Sequence, residues 1–87
     1  MYYIYVLESL KDDKLYIGYT NNLKRRIFEH NNRLSKSTSI RCPFKLLYYE
    51  AYLSESDAKH REKMLKNFSG SYNHLKNRIK NSLILSK

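Results

Sequence analysis

The alternation of apolar and polar residues divides the chain into short blocks. Runs of β-branched and aromatic residues at positions 2–7, 15–19 and 44–53 are typical of buried strands. Between the first two runs lies a polar stretch containing Asp12-Asp13, which suits a turn. We therefore expect the first two strands to form a hairpin, with a third strand later in the chain.

Helix signals occupy most of the remaining sequence. Thr20-Asn21-Asn22 offers N-cap side chains for a helix that ends near residue 31. Ser54-Glu55-Ser56-Asp57 resembles a capping box and opens a second helix that ends near Gly70. The other segments are a polar, basic loop at 32–43 and a more weakly patterned helix at 71–83. The order β-β-α-β-α-α predicts an α+β fold, a small three-stranded antiparallel sheet flanked by helices.

Length and cysteine content narrow the class of protein. Eighty-seven residues suffice for one domain with a small core, and the single cysteine, Cys42, excludes an intramolecular disulfide and a multi-cysteine zinc site. No run approaches the roughly 18 apolar residues that a membrane span needs. Met1 leads into Tyr2-Tyr3-Ile4 without the regions of a signal peptide. We expect one cytoplasmic domain over residues 1–87, with no membrane association.

The charge of the chain favours a polyanionic partner. Seventeen Lys and Arg against eight Asp and Glu give a net charge of +9, and the whole excess lies after residue 23. So large an excess in so small a domain favours nucleic acid as the partner. The alternative is a solvated basic surface that only keeps the protein soluble.

Three polar residues lie where helices normally carry apolar ones. Arg26 and His30 occupy two of the four positions in the stripe that the first helix turns toward the core, and Glu62 lies between apolar neighbours on the second. A lone charge there is costly to bury unless it is paired or bound to metal. One interpretation is a structural Arg26–Glu62 salt bridge. The other is a phosphodiester site, which needs such a combination of groups.

The parity of the strands adds two tyrosines to this cluster. Tyr5 on the first strand and Tyr16 on the second meet near the helix pair if they share a face of the sheet. Gly18 lies on the same face as Tyr16. Without a side chain it leaves an open floor, where a phosphate could approach closely.

These positions together resemble the GIY-YIG nuclease family. Tyr16-Ile17-Gly18 is its second signature, and Tyr3-Ile4-Tyr5 matches its first with tyrosine in place of the leading glycine. Arg26 follows eight residues after the signature glycine and His30 four residues later, as in the helix of the family. Arg61-Glu62 looks like its second-helix motif. The resemblance extends over nearly the whole chain, from the second residue to about residue 68.

The resemblance implies a mechanism for cutting DNA phosphodiesters. If the roles of the matching positions in the family apply here, Glu62 binds a single Mg²⁺ or Mn²⁺, and Arg26 stabilises charge on the phosphorane oxygens. Tyr5 is the general base, with Tyr16 beside it, and His30 orients or relays the proton. A free phenol has a pKa of about 10, and Arg26 and the metal are expected to lower it. Which of the two tyrosines takes the proton is left open by the residues themselves.

Other basic residues are expected to follow the nucleic-acid backbone. Most of them surround the polar loop or lie along the second helix. The residues predicted to contact nucleic acid are Gly18, Arg25, Arg33, Lys36, Arg41, Lys45, Lys63 and Lys66. Their contacts are expected to be with phosphates, so that binding depends on salt more than on sequence.

Three functions are therefore consistent with the sequence. The first is a metal-dependent DNA endonuclease, selective for structure rather than sequence, of the kind used in DNA repair or recombination. The second is a nucleic-acid-binding module, for DNA or RNA, that does not cut. The third is a catalytic subunit that needs a partner protein or a homodimer for targeting. Glu62 favours an enzyme over a pure binder, since a carboxylate near phosphate repels DNA unless a metal intervenes.

Overall fold

The computed structural model describes residues 1–86, which form three strands and four helices. The strands are β1 (Tyr2–Ser9), β2 (Leu15–Thr20) and β3 (Phe44–Tyr52). The helices are α1 (Leu23–Asn31), α2 (Glu55–Asn67), α3 (Ser69–Arg78) and α4 (Lys80–Leu85). The order β-β-α-β-α-α-α and the antiparallel sheet confirm the predicted α+β fold.

The first strand is the centre of the sheet. The strand order is β2-β1-β3, and β1 runs antiparallel to both neighbours. In this register Tyr5 lies opposite Gly18 on β2 and opposite Tyr49 on β3. A shift in the pairing with β3 falls between Val6 and Leu7. Tyr5 is therefore in the middle of the central strand, where its backbone is fixed from both sides.

Successive side chains of β1 alternate between two separate cores, one on each face of the sheet. The buried residues of the first core, under α2 and α3, are Ile4, Val6, Ile17, Leu65, Leu75 and Ile79. Those of the second, under α1 and the loop that follows it, are Tyr5, Leu7, Cys42 and Phe44. Burying one such aliphatic side chain stabilises the fold by about 1.5–3 kcal/mol. The central strand is thus held on both faces, which places Tyr5 within a rigid element.

Both predicted helix starts are confirmed. The Asn22 side chain accepts a hydrogen bond from the Arg25 backbone N–H at 3.0 Å, so Asn22 is the N-cap and α1 begins at Leu23. The Ser54 hydroxyl accepts one from the Asp57 N–H at 3.3 Å and begins α2. Each cap satisfies one of the backbone donors that a helix leaves unpaired at its start.

The expected helix ends after residue 60 are wrong. Gly70 does not end α2, which stops at Asn67, because Phe68 has an extended backbone with φ −126° and ψ 110°. Gly70 lies inside the first turn of α3, and a further break at Ile79 separates α3 from α4. The change of direction at Phe68 lets Leu75 reach the same core as Leu65. The segment 71–83, which was predicted as one weakly patterned helix, is therefore divided between α3 and α4.

Candidate active site

A line of hydrogen bonds runs from the central strand into the loop after α1. The hydroxyl of Tyr5 lies 2.8 Å from Nε2 of His30, and Nδ1 of His30 lies 2.7 Å from the hydroxyl of Thr38. All three residues are buried, with 1 % of Tyr5 and none of His30 or Thr38 exposed. Neutral imidazole carries one N–H, so His30 donates one of these bonds and accepts the other. The pairing makes His30 a link between two hydroxyls.

The surroundings keep His30 neutral. Burial, above all, and the positive charge of Arg26 lower the pKa of His30 to about 4. Because the charged form would lose its hydration in this core, the imidazole stays unprotonated near pH 7. The neutral ring of His30 therefore has one nitrogen with a lone pair that accepts a hydrogen bond, while the other donates one.

Tyr5 is shifted in the opposite direction from the one expected. Burial, followed by the neighbouring phenol of Tyr16, raises the pKa of Tyr5 to about 12, although Arg26 opposes the rise. The carboxylate of Glu62 adds to it. In this state of the protein Tyr5 is a protonated phenol, and the sequence-based expectation of a lowered pKa is wrong for the chain on its own.

Arg26 lies beside this line, held by two side chains. Its Nη1 donates to the Glu29 carboxylate at 2.9 Å and its Nη2 to the Ser35 hydroxyl at 3.3 Å. The side chain is 28 % exposed, so the guanidinium reaches solvent while its direction is fixed. Its charge acts on both Tyr5 and His30.

Glu62 approaches the cluster from α2. It lies between the buried Ala58 and Leu65, and its carboxylate is 3.1 Å from the ammonium of Lys66. The same ammonium lies 5.8 Å from the ring centre of Tyr16. The ion pairs of the described residues join Glu62 to Lys66 and Arg26 to Glu29, so the alternative of an Arg26–Glu62 salt bridge is wrong.

Aromatic contacts complete the cluster. The ring of Tyr16 lies 5.1 Å from that of His30 and 6.4 Å from that of Tyr5, measured between centres. Tyr5, Tyr16 and His30 thus form one group, with Arg26 on its α1 side and Glu62 near its α2 side. The structure brings together all five residues that the sequence selected.

The expectation of an open floor at Gly18 is wrong. A Cβ atom built on Gly18 would overlap Cζ and the hydroxyl oxygen of Tyr5. The phenol of Tyr5 itself fills the space, because Gly18 lies directly opposite it on β2. Gly18 lets Tyr5 lie across the neighbouring strand, so its observed contact is with Tyr5.

The predicted nucleic-acid residues are spread over several surfaces. Arg25 pairs loosely with Glu29 at 3.7 Å and stays 56 % exposed. Arg41 is engaged inside the molecule, where it donates to Asp12 at 3.0 Å and holds the loop to the β1–β2 turn. The other exposed members of the set are Arg33, Lys36, Lys45, Lys63 and Lys66. Their contact with nucleic acid stays a prediction.

Two hydroxyl residues of the site were missed from the sequence. Ser35 and Thr38 belong to the polar loop predicted at 32–43, yet both are buried against Arg26 and His30. The only signal was the clustering of hydroxyl residues at 35–39. The pattern does not show that this segment folds inward, because polar loops are usually at the surface.

A second polar cluster, also missed, lies on β3 and fixes α2. Arg61 donates from Nε and Nη2 to the two carboxylate oxygens of Glu50 at 3.0 and 3.2 Å. Tyr48 donates to the same carboxylate at 2.6 Å, and Tyr52 also donates to it. Burial alone would raise the pKa of Glu50, but the bonds from Arg61 and the two phenols lower it overall. Arg61 precedes Glu62, so this ion pair ties α2 to β3 one residue before Glu62.

The family of the chain follows from its match to known proteins. Residues 1–77 match the model of the GIY-YIG catalytic domain, and the chain belongs to this nuclease family. It is 45% identical over 67 residues to UPF0213 protein CPE1444 of Clostridium perfringens, a match that covers 76% of this chain and 71% of the relative. UPF0213 protein SSP2268 of Staphylococcus saprophyticus is 42% identical over 69 residues, 78% of this chain and 83% of the relative.

A solved structure is also similar in sequence. The solution NMR structure of UPF0213 protein BH0048 from Bacillus halodurans is 36% identical, and the match covers 100% of this chain and 86% of that one, with a TM-score of 0.48. Among residues 1–86 of the present chain, no helix is long and apolar enough to cross a membrane.

Proposed function

We propose that this protein is a metal-dependent endonuclease that hydrolyses phosphodiester bonds of DNA and selects its substrate by structure rather than by sequence. The observation that carries the proposal is the hydrogen-bonded pair of Tyr5 and His30 beside Arg26, with the Glu62 carboxylate close enough to raise the pKa of Tyr5. The chain also has a net charge of +9, which suits a polyanionic substrate. Membership of the GIY-YIG family supports the same reaction class.

In this proposal Arg26 stabilises the transition state. Attack of water on phosphorus adds negative charge to the oxygens that do not leave, and a preorganised cation stabilises that charge. Glu29 and Ser35 already hold the guanidinium in one direction. Little reorganisation is then needed when the phosphate arrives.

Tyr5 and His30 act as one proton-accepting unit. With a pKa of about 12, Tyr5 takes the proton of the attacking water only as its own proton passes to Nε2 of neutral His30. The water oxygen then bonds to phosphorus, the bond to the leaving oxygen breaks, and that oxygen takes a proton from solvent. The negative phosphate favours the imidazolium that forms. This path needs the tautomer in which Nδ1–H donates to Thr38.

Glu62 is chemically suited to hold Mg²⁺ or Mn²⁺. Residues 1–86 contain no group of three or more His, Cys, Asp and Glu side chains placed as a metal cage. Magnesium is often held by one or two carboxylates, with waters and substrate phosphates as the other ligands, so one carboxylate fits a metal that is completed by substrate. Such an ion supplies neutralisation of phosphate charge. Lys66 must release Glu62 for it to bind.

The proposal is tested by cleavage of a labelled panel of substrates. Duplex, nicked, flap and four-way-junction DNA, with RNA alongside, are incubated with Mg²⁺, Mn²⁺ or EDTA. We expect cutting with metal, none with EDTA, and a loss of about 100-fold or more in Glu62→Gln. Glu55→Gln is the matched control, because Glu55 lies on the same helix with its side chain 52% exposed. Normal cutting by Glu62→Gln would contradict the metal assignment.

The observed ion pair favours a second candidate, a binding module that does not cut. Lys66 already neutralises Glu62, which removes the repulsion between this carboxylate and a nucleic acid. Salt-sensitive binding of the panel without cutting in any metal would support this candidate, or a catalytic subunit that waits for a partner protein or a second copy. A pull-down with DNA would then separate these two.

A further inference from the structure

A groove begins at Tyr16, in the candidate active site, and follows the outer edge of β2. It has a volume of about 290 Å³, and we call it the β2 groove; its lining residues are Leu15, Tyr16, Ile17, Leu65, Lys66 and Tyr72. The strand forms one wall, while α2 and α3 form the other. Its interior is apolar and aromatic, and its polar member is a lysine at the rim.

The β2 groove is continuous with the candidate active site. Tyr16 belongs to both, since its ring lies 5.1 Å from the ring of His30. Lys66 also belongs to both, since its ammonium is 3.1 Å from the carboxylate of Glu62. A strand with a phosphate beside Glu62 therefore has Lys66 and Tyr16, which line this groove, next to that phosphate.

At Leu15 and Tyr72 the groove adjoins a second cavity of about 530 Å³, which these two residues also line. Lys14 and Lys76 lie along this cavity, together with the carboxylates of Glu8 and Asp13. The ammonium of Lys76 is 5.2 Å from the ring centre of Tyr72, as that of Lys66 is 5.8 Å from Tyr16. Two aromatic rings, each accompanied by a lysine, thus follow one another away from the site.

We propose that the β2 groove binds an unpaired nucleotide next to the phosphate that is cut, with its base against Tyr72 and its backbone along Lys66 and Lys76. The inference rests on the proposed nuclease function and names its substrate class, a strand with unpaired nucleotides beside the cleavage point. Aromatic rings beside a cationic track are how proteins hold single strands, since every base has a face that stacks. A base inside a duplex is already stacked and paired, so it does not enter.

The experiment measures the binding of a fluorescent base to the groove under conditions in which no DNA is cut. Single-stranded oligonucleotides that carry one 2-aminopurine are titrated with protein in EDTA, because stacking on an aromatic ring quenches this base. We expect quenching by the natural protein and by Tyr72→Phe, which keeps the ring. Tyr72→Leu is expected to lose the quenching and about ten-fold in affinity for the single strand. Its affinity for blunt duplex DNA should not change.

Two further variants control for loss of structure. Tyr72 packs against the core, so thermal unfolding of each variant is measured, and the exposed Lys76 is replaced by alanine as a change that spares the core. Lys76→Ala is expected to weaken single-strand binding several-fold and to reduce its salt dependence. Tyr49→Leu removes an exposed tyrosine on β3 and should leave quenching unchanged.

The outcomes separate this proposal from the nuclease itself. Absence of quenching in the natural protein, or equal quenching in Tyr72→Leu, overturns the proposal that the β2 groove binds a nucleotide. Quenching without metal-dependent cutting supports the groove and contradicts the nuclease. Cutting without quenching overturns the groove alone.

Discussion

His30 gives the protein a measurable dependence of stability on pH. Its pKa is 6.5 in an unfolded chain and about 4 in the folded protein, chiefly because it is buried. Between these values the unfolded state binds more protons, so the contribution of His30 to stability is complete above pH 6.5 and is lost as the pH falls toward 4.

We predict that the free energy of unfolding falls by about 2 kcal/mol between pH 7 and pH 5 through this residue alone. Urea unfolding at several pH values measures the fall. In His30→Gln, which cannot become charged, the slope should be much smaller over the same range. Identical slopes in the two proteins would mean that His30 is not held neutral by its surroundings.

We expect Thr38 to be a positioning residue, because it is fully buried and its hydroxyl contacts His30. Its hydroxyl is 2.7 Å from Nδ1 and fixes which ring nitrogen carries the proton. We predict that Thr38→Val, which keeps the shape but not the hydroxyl, lowers kcat by about 10–100-fold. It should also replace one His30 tautomer by a mixture in the ¹⁵N NMR spectrum.

Thr38→Ser is the matched control, since it keeps the hydroxyl, and both its rate and its spectrum should stay close to those of the natural protein. The NMR measurement does not depend on activity, so it also separates the tautomer from the reaction. A single unchanged tautomer in Thr38→Val would assign Thr38 to packing only.

At the level of elements, the placement of α2 depends on β3 as much as on its own apolar face. The Glu50 carboxylate takes two bonds from Arg61 and bonds from two phenols. Its side chain is 15% exposed, and that of Arg61 is 26% exposed. Bonds to a charged group in such a site are stronger than those between neutral groups.

We predict that Glu50→Gln destabilises the protein by roughly 2–3 kcal/mol, because Arg61 is left without its charge partner. It should also raise the concentration of Mg²⁺ that cutting requires, because α2 no longer holds Glu62 in one orientation. Denaturant unfolding and the concentration of Mg²⁺ for half-maximal rate measure the two effects. Unchanged stability, or reduced stability with an unchanged Mg²⁺ requirement, would contradict the link between this ion pair and Glu62.

The elements that the sequence predicts best are those with strong local signals. The three strands and the starts of α1 and α2 follow from apolar runs and from cap residues such as Asn22 and Ser54. The break at Phe68 does not, because it arises from where Leu75 must be buried and not from a local stop signal. Gly70 resembles a signal that ends a helix, but it lies inside α3. A Cβ atom added to Gly70 would have no neighbour within 4 Å, so packing does not require glycine there.

The site divides in the same way. Arg26, His30 and Glu62 could be selected because polar groups on apolar stripes are unusual, and Tyr5 and Tyr16 because of strand parity and the resemblance to the GIY-YIG family. Thr38 and Ser35, which bond to His30 and Arg26, could not be selected from the sequence, because their contacts depend on how a loop without periodicity folds. The role of Gly18 was misread for a related reason. Its neighbour across the sheet is set by the register, which places the Tyr5 ring over it.

For the molecule as a whole, the candidate active site combines side chains from elements packed on both faces of one small sheet. α1 and its loop hold Arg26 and His30 over one face, and α2 brings Glu62 from the other past the edge strand β2. The five residues come from four elements, β1, β2, α1 and α2, so the candidate site depends on how these elements pack together. The net charge of +9 supplies attraction to a polyanion that falls with salt.

The most direct test compares two neighbouring arginines of α1. Cleavage by Arg26→Leu and Arg25→Leu is measured with Mg²⁺ at saturating DNA, and thermal unfolding of both proteins is recorded. Arg26 is held toward the site by Glu29 and Ser35, whereas the Arg25 side chain is 56% exposed. We predict that Arg26→Leu stays folded and loses about 100-fold or more in kcat, while Arg25→Leu keeps kcat. Equal kcat in both variants would contradict an active site at this cluster.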